Sequence, residues 1–421
     1  MNKSEIELFL SQKNYDIRVY KNARWIDQKC TFDVVCMIAD CILQFVGEDR
    51  EKYFSVSDIW KNQYTIDNVV EIFSKPSPDD QKAKNEYDKY FGQPIKLLAY
   101  SGILLENIKY RPYRYKVANF YLLEHIALRE RNALNFLIIY IEKVLRDSGL
   151  WGIFNNFLQE QSKESFALLK SEFTRFTINY TKINKTLECG RIFAKILNPL
   201  AYSSKKRGTE RGRISKTIIT QSDLQYNREN WRDQLSGKDK NIVRADHNCL
   251  IENQYDQYKI QKAKRIIKNF NNQYRNGMSE VIQDDDKNLA TQIHHIFAVS
   301  DYPSIADYLE NLIALTPNQH NLQAHPQNHT NKIDRDFQYI CLLAKTYSIW
   351  ENLTQKTKQA IIYNFEDYKT VLNTGLETQE FSNIDDCDFA LILNKIELFY
   401  DIIQNKYVNL VNKNNHIGCK G

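Results

Sequence analysis

The stretch IHHIFAVSDYPSIADYLENLIALTPNQHNLQAHPQNH, residues 293–329, decides how this chain is interpreted, because histidines are concentrated in it. The whole chain has 8 histidines, and five of them lie here: His294, His295, His320, His325 and His329. Imidazole nitrogens bind metal ions and exchange protons near neutral pH. The cluster therefore indicates a metal site or an acid–base site, and the residues alone leave open whether two or three histidines bind the metal.

The same stretch has the pattern of two strands followed by a helix. The residues ATQIHHIF, 290–297, have the β-branched and apolar character of a strand, and LIALT, 312–316, repeats that character after a polar loop. Pro317 suits the first turn of a helix, and Thr316 with Gln319 forms a capping-box pattern in front of it. We therefore expect a strand, a loop, a second strand and a helix.

Four polar residues of this segment fall at a characteristic spacing. His294 and His295 are adjacent, Asn311 follows 16 residues after His295, and His320 follows 9 residues after Asn311. This arrangement, together with the phrase ENLIALTPNQH, resembles the HNH or ββα-metal nuclease family, most closely its type II restriction endonucleases. The resembling segment covers less than a tenth of the chain.

The resemblance implies a role for each of these residues. It makes His295 the general base that activates water, and it makes Asn311 the residue that ties the loop between the strands and orients His295. His294 and His320 would hold one divalent metal ion. Mg²⁺ is the first expectation, and Mn²⁺ or another transition metal is the alternative because imidazole is a softer ligand than carboxylate.

Two neighbouring positions refine the expected site. His325 is one step beyond Ala324, the residue that would share a helix face with His320. We therefore expect His325 to contact phosphate or to support the metal ligands, with direct ligation as the alternative. Thr316 and Gln319 stand where some family members have a cysteine pair, so no structural zinc is expected.

The first 130 residues predict helices followed by a hairpin. TFDVVCMIADCILQFV, residues 31–46, reads as an apolar helix, and two alternating runs, GILLENIKY and YRYKVANFYL, are joined near Pro112. Helices followed by a hairpin are the order of a winged helix, which binds DNA. Arg111 and Arg114 beside tyrosines are candidate contacts to the DNA backbone. The alternative is a solvated hairpin that packs on the rest of the protein.

A strongly basic segment, SSKKRGTERGRISK, occupies residues 203–216. Glycines let backbone approach a polyanion closely, and cations neutralise phosphates. YNRENWRD, residues 226–233, adds two arginines around a tryptophan. The alternative is a flexible, solvated surface loop. The candidate DNA-binding residues of both segments are Lys205, Lys206, Arg207, Arg211, Arg213, Lys216, Arg228 and Arg232.

These patterns predict a mainly α protein with small β elements, in four parts. The parts are a winged-helix-like module at 1–130, a helical region with a basic DNA-contacting loop at 131–245, the HNH nuclease domain at 246–335 and a helical region at 336–421.

Composition sets wider bounds. Hydrophobic residues make up 43% of the chain, as in folded proteins, and the net charge is only +5. No run of about 18 apolar residues indicates a membrane span. The 8 cysteines form no C-x-x-C pair, which favours unpaired thiols in a reducing bacterial cytoplasm.

The expected function is that of a sequence-specific type II restriction endonuclease acting on double-stranded DNA. A homodimer and a cognate DNA methyltransferase are its expected partners. One alternative is a nonspecific or modification-dependent defence DNase. Another is a DNA-binding regulator in which the HNH-like segment is inactive.

Overall fold

The computed structural model describes residues 1–72, 83–226, 244–284, 286–325, 333–355, 360–400 and 407–414. These residues form a mainly helical protein with three two-stranded antiparallel sheets. The predicted class, mainly α with small β elements, is confirmed. The chain forms two compact units, Met1–Ile251 and Glu252–Gly421. The four-part division stays a prediction.

Helices dominate the first unit, and two β-hairpins interrupt them. In chain order its elements are α1 (Lys3–Ser11), α2 (Ile17–Tyr20), α3 (Phe32–Val46), α4 (Val56–Trp60), α5 (Gln63–Ile72), α6 (Ala83–Tyr100), β1 (Leu104–Asn107), β2 (Arg114–Val117), α7 (Phe120–Leu128), α8 (Glu130–Asp147), α9 (Trp151–Glu160), α10 (Lys163–Tyr180), α11 (Thr186–Ser203), β3 (Arg207–Glu210) and β4 (Arg213–Ile218). Helix α12 follows at Arg244–Tyr274.

Helix α3 is the centre of the first unit, because it is apolar on nearly every face. It packs against α7 and α8. Two carboxylates are also buried in it, and each accepts a hydrogen bond. Asp33 accepts from the backbone N–H of Tyr226 at 2.8 Å, and Asp40 accepts from the hydroxyl of Tyr64.

The hairpin predicted near residue 112 is confirmed, since β1 and β2 pair in antiparallel register over four residues each. Tyr115 of β2 is buried and also bridges to Phe54. This extra bridge attaches the hairpin to the chain segment that leads into α4. The winged-helix role of this region stays a prediction.

The basic segment was predicted to be a loop, and that prediction is wrong: it forms the β3–β4 hairpin. Arg211 and Gly212 make its tip with φ angles of 50° and 77°, a left-handed turn that glycine adopts easily. Asn198 of α11 fixes the hairpin by two hydrogen bonds to the backbone of Thr209, at 3.1 and 2.8 Å. The hairpin therefore presents its cations from a fixed backbone.

The second unit surrounds one short sheet with helices. Its elements after α12 are β5 (Gln292–His295), β6 (Leu312–Leu315), α13 (Arg335–Thr354), α14 (Phe365–Gly375), α15 (Phe389–Glu397) and α16 (Val408–Asn414). All four residues of β6 are buried. Among the described residues, no helix has both the length and the apolarity needed to cross a membrane.

A buried ion pair attaches β6 to the helices. Lys345 of α13 lies 2.7 Å from a carboxylate oxygen of Glu280, and the other oxygen of Glu280 accepts the backbone N–H of Ala314 at 2.9 Å. Burial alone would raise the pKa of Glu280, but Lys345 and Arg275 together hold it below its usual value. The carboxylate therefore stays ionised and holds the strand in place.

Candidate metal centre

Strand β5 carries two adjacent histidines whose side chains point to opposite faces of the sheet, since side chains alternate along a strand. His294 pairs with Ile313 of β6, and His295 pairs with Leu312. His294 is only 4% exposed, whereas His295 is half-buried. The two imidazoles therefore have different surroundings and can serve different purposes.

The reciprocal hydrogen bonds predicted at the helix start are present. The hydroxyl of Thr316 accepts the backbone N–H of Gln319 at 3.1 Å, and the side-chain oxygen of Gln319 accepts the N–H of Thr316 at 3.2 Å. Gln319 also accepts the hydroxyl of Ser279 and donates to the carbonyl of Val281 at 3.2 Å. These bonds anchor the turn that carries His320.

That turn is a π-helix over Gln319–Ala324. The N–H of His325 donates to the carbonyl of His320 at 3.2 Å, a bond that spans five residues where an α-helix would span four. The wider turn brings His325 beside His320. The sequence-based expectation assumed an α-helix and placed His325 one step off the ligand face. The π-helical turn favours the alternative of direct ligation.

The three histidines His294, His320 and His325 form a compact group. Their candidate ligand nitrogens all lie within 4.8 Å of one another. The ring centroids are 5.3 Å apart for His294 and His320, 4.9 Å for His294 and His325, and 4.8 Å for His320 and His325. This group can hold a metal ion.

The electrostatics of the group favour the neutral imidazole. Burial lowers the pKa of His294 well below its ordinary value, and the neighbouring histidines lower it further. Burial also lowers the pKa of His320, against a hydrogen bond with Asn321 that raises it. An imidazole must be unprotonated to bind a metal. The site therefore offers nitrogen lone pairs at neutral pH.

His295 is held apart from this group by one hydrogen bond. Its Nε2 lies 3.0 Å from the carbonyl oxygen of Ala306. A carbonyl only accepts, so the proton is on Nε2 and the lone pair is on Nδ1. Burial, and then the charge of Lys264, lower the pKa of His295 to about 4, although the bond to Ala306 opposes the shift. His295 is thus a neutral imidazole with a defined tautomer.

Asn311 holds the loop between β5 and β6. It is fully buried. Its side chain accepts the N–H of Phe297 at 2.9 Å and donates to the carbonyls of Phe297 and Ile305 at 3.1 and 3.2 Å. Ile305 precedes Ala306, the residue bonded to His295. Asn311 therefore fixes the backbone on which the orientation of His295 depends.

Lys264 is a residue that sequence reasoning missed. It lies half-buried on α12, and its charge contributes to lowering the pKa of His294, His295 and His320. The surrounding segment reads as a basic helix, so no local signal distinguishes this lysine from its neighbours. Its position beside the histidines results from tertiary folding alone.

The cations of the β3–β4 hairpin fall into two groups, those that are partly buried against the protein and those that are exposed to solvent. Arg207 is held by Gln161, since its guanidinium donates to the Gln161 carbonyl at 2.8 Å, and Lys206 is half-buried. The other predicted DNA-binding residues of the hairpin have exposed side chains: Lys205, Arg211, Arg213 and Lys216. The exposed set is the part of the hairpin suited to phosphate contacts.

The remaining predicted contacts are less uniform. Arg114 is ion-paired with Asp58 at 2.8 Å, which reduces the charge it offers to phosphate. Arg111 lies over the ring of Tyr113, 4.3 Å from its centroid, and is exposed. Arg228 and Arg232 lie outside the described residues. The β1–β2 hairpin is thus the weaker candidate for DNA contact.

No protein-family model, no curated protein and no solved structure matches this chain. Function therefore has to be inferred from the geometry and chemistry of the site.

Proposed function

We propose that this chain is a metal-dependent endodeoxyribonuclease of the HNH type that acts as a sequence-specific type II restriction endonuclease. The observation that carries the proposal is the convergence of His294, His320 and His325, with a neutral His295 held separately at the adjacent position of β5. Three imidazoles form a metal site, and a fourth supplies a base. Hydrolysis of a phosphodiester requires both functions.

The donor set fits a divalent ion, with His294, His320 and His325 as its ligands. Three nitrogen donors favour a first-row transition ion such as Mn²⁺, Co²⁺ or Ni²⁺, since Mg²⁺ prefers oxygen. We therefore place these ions ahead of the Mg²⁺ expected from the sequence. A bound ion would stabilise the negative charge on the scissile phosphate and on the leaving oxygen.

His295 would activate the attacking water. As the water oxygen attacks phosphorus, its proton moves to Nδ1 of His295, the bond to the 3′ oxygen breaks, and that oxygen takes a proton from solvent. The hydrogen bond from Nε2 to the carbonyl of Ala306 becomes charge-assisted when the ring is protonated, so it stabilises the imidazolium. Asn311 keeps that carbonyl in position.

The exposed cations of the β3–β4 hairpin support a nucleic-acid substrate, because phosphate neutralisation provides much of the affinity for DNA. One catalytic site cuts one strand, so a homodimer on a palindromic target would cut both. A cognate DNA methyltransferase would protect the host's own sites. These partners belong to the proposal.

Cleavage of unmethylated phage DNA tests the proposal. Wild-type protein is incubated with Mg²⁺, with Mn²⁺ and with EDTA, beside His295→Ala and the control His125→Gln, a histidine of α7 outside the cluster. We expect discrete DNA fragments only from the wild type and the control variant, and only when metal is present. A smear would favour the nonspecific DNase. DNA binding without cutting would favour a modification-dependent enzyme or an inactive, DNA-binding protein.

A further inference from the structure

The first unit contains a cavity of about 330 Å³. Residues of α3, α8, α11 and the β3–β4 hairpin line it, together with the segment that ends at Tyr226. Small-molecule sites occupy cavities of roughly 300–1,000 Å³. The cavity is therefore large enough for a planar ring of the size of a nucleobase.

The charges along its wall are balanced. Lys195 and Arg211 supply two cations, and Glu210 and Asp223 supply two carboxylates. A site for a bare phosphate or a metal ion would carry an excess of one sign. Balanced charge beside apolar walls suits a neutral group that has both hydrogen-bond donors and acceptors.

Thr31 provides an independent sign of a ligand. It lines the cavity and is only 4% exposed, and its hydroxyl oxygen makes no hydrogen bond to a described residue. It occupies the N-cap position of α3, but its side chain makes no capping hydrogen bond. Burial raises the pKa of Asp33, and the interaction of its carboxylate with the Thr31 hydroxyl opposes part of that rise, so Asp33 is a weak partner of this hydroxyl. Neither this hydroxyl nor one carboxylate oxygen of Asp33 completes a hydrogen bond of normal geometry to a described residue. Buried polar atoms in this state are costly, so a ligand atom that completes their hydrogen bonds is expected.

The rim of the cavity suits a nucleotide. Arg211 belongs both to the lining and to the exposed basic hairpin. The ring of Tyr226 is held by an edge contact with Tyr90, 5.5 Å between centroids, and by Lys29, 4.7 Å above it. An aromatic ring next to cations is the combination that binds a base and its phosphate together.

We propose that this cavity binds a nucleobase, with Thr31 hydrogen-bonded to its edge and the β3–β4 cations on the adjoining phosphate. The base has two sources, a nucleotide flipped out of duplex DNA or a free nucleotide. The first source rests on the proposed DNA function, and the second does not.

The first experiment measures binding of the four deoxynucleoside monophosphates to the full chain by titration calorimetry, with deoxyribose 5-phosphate as the baseless control. Two variants change the cavity. Thr31→Val removes the hydroxyl at nearly constant shape, and Ala194→Trp fills the space. Gly190→Trp is the matched control, since Gly190 is on the same helix with open space around it. Loss of one buried hydrogen bond predicts affinity about three- to tenfold weaker in Thr31→Val.

The second experiment measures binding to a 30-base-pair duplex that is either fully paired or carries one central mismatch. A protein that flips a base binds the mismatched duplex more tightly, because unpairing costs less there. We expect that preference in the wild type and in Gly190→Trp, and its loss in Ala194→Trp.

The outcomes separate the two sources and both proposals. A mismatch preference that depends on the cavity identifies a DNA base, and monophosphate binding without such a preference identifies a free nucleotide. Equal behaviour of wild type and both cavity variants in both experiments overturns the inference. Neither readout uses cleavage, so a chain that binds a base here and cuts no DNA would retain this inference and lose the nuclease.

Discussion

The histidine cluster of the second unit and the basic hairpin of the first use ionisable side chains in opposite ways. The cluster is largely buried, and burial keeps His294 and His320 neutral. The hairpin exposes Arg211, Arg213 and Lys216 as full charges. A cluster acts through a few atoms at fixed positions, whereas a hairpin acts through summed charge. Substitutions should therefore have all-or-none effects in the cluster and graded effects in the hairpin.

The largest effect is expected at His295. His295→Ala should lower the cleavage rate by about 10²–10⁴-fold, because the base is removed. Its affinity for DNA and for metal should stay within twofold of the wild type. Single-turnover cleavage and a gel shift in EDTA provide the two measurements. A normal cleavage rate in this variant would remove His295 from the mechanism.

The next effect concerns the π-helical turn. His325→Ala should weaken metal binding by more than about tenfold, since one of the three proposed ligands is lost. The double variant Ala324→His with His325→Ala places a histidine four residues after His320, the spacing that would put both on one face of an α-helix. Because the turn is π-helical, we expect metal binding to stay as weak as in His325→Ala. Calorimetric titration with Mn²⁺ compares both with the wild type. Full recovery in the double variant would show that the turn is α-helical in solution.

Part of this site could be predicted because its signals are local. The β-branched and apolar character of residues 290–297 and 312–316 predicts β5 and β6, and the pattern of Thr316 with Gln319 predicts the start of the turn. The π geometry that brings His325 to His320 could not be predicted, since one extra residue in a turn leaves no distinct pattern. Lys264 was missed because only tertiary folding brings it to the histidines.

The basic hairpin illustrates a different failure. Charged residues are frequent in residues 203–216, and neither β3 nor β4 alternates regularly between buried and exposed residues. A loop was therefore predicted. The hairpin is also held by Asn198, which lies on α11 and forms its two hydrogen bonds with the backbone of Thr209. A contact between a helix and a later strand leaves no local sequence pattern. The nearby cavity is also formed by residues that are distant in the chain, and no short pattern indicates it.

Asn311 tests how rigidly the cluster is supported. Asn311→Ala would leave the N–H and the carbonyl of Phe297 without partners among the described residues, whereas the carbonyl of Ile305 keeps the N–H of Tyr308. We expect it to lower the free energy of unfolding by about 1–3 kcal/mol or more, and to reduce cleavage together with stability. Urea unfolding measures the first quantity. Unchanged stability with unchanged cleavage would contradict a supporting role.

Graded effects are expected in the hairpin. Arg213→Ala and Lys216→Ala should each weaken DNA binding several-fold and lower the slope of log affinity against log salt by about one. Cleavage at saturating DNA should be unchanged. Lys163→Ala, an exposed lysine on α10, is the matched control. If the control and the hairpin variants have equal slopes, the hairpin does not contact phosphate.

The smallest effect is expected at His125, which lies outside both regions. Burial, and then the positive N-terminus, lower its pKa from 6.5 to about 4. Its neutral form stabilises the fold, so this contribution is present above about pH 6.5 and is lost as the pH falls toward 4. His125→Gln should therefore reduce the loss of stability over that range. Unfolding midpoints of the wild type and of His125→Gln are measured at pH 7, 6, 5 and 4. If both midpoints fall equally with pH, His125 has no such role.

The most direct test of the account is metal binding by the three histidines, read without any DNA. Co²⁺ is titrated into the full chain, and the visible absorption of nitrogen-bound Co²⁺ is followed together with stoichiometry. We predict one ion per chain in the wild type and in His295→Ala, and loss of that ion in His294→Ala and His320→Ala. Equal binding by the wild type and both ligand variants would contradict the metal centre, and with it the proposed nuclease.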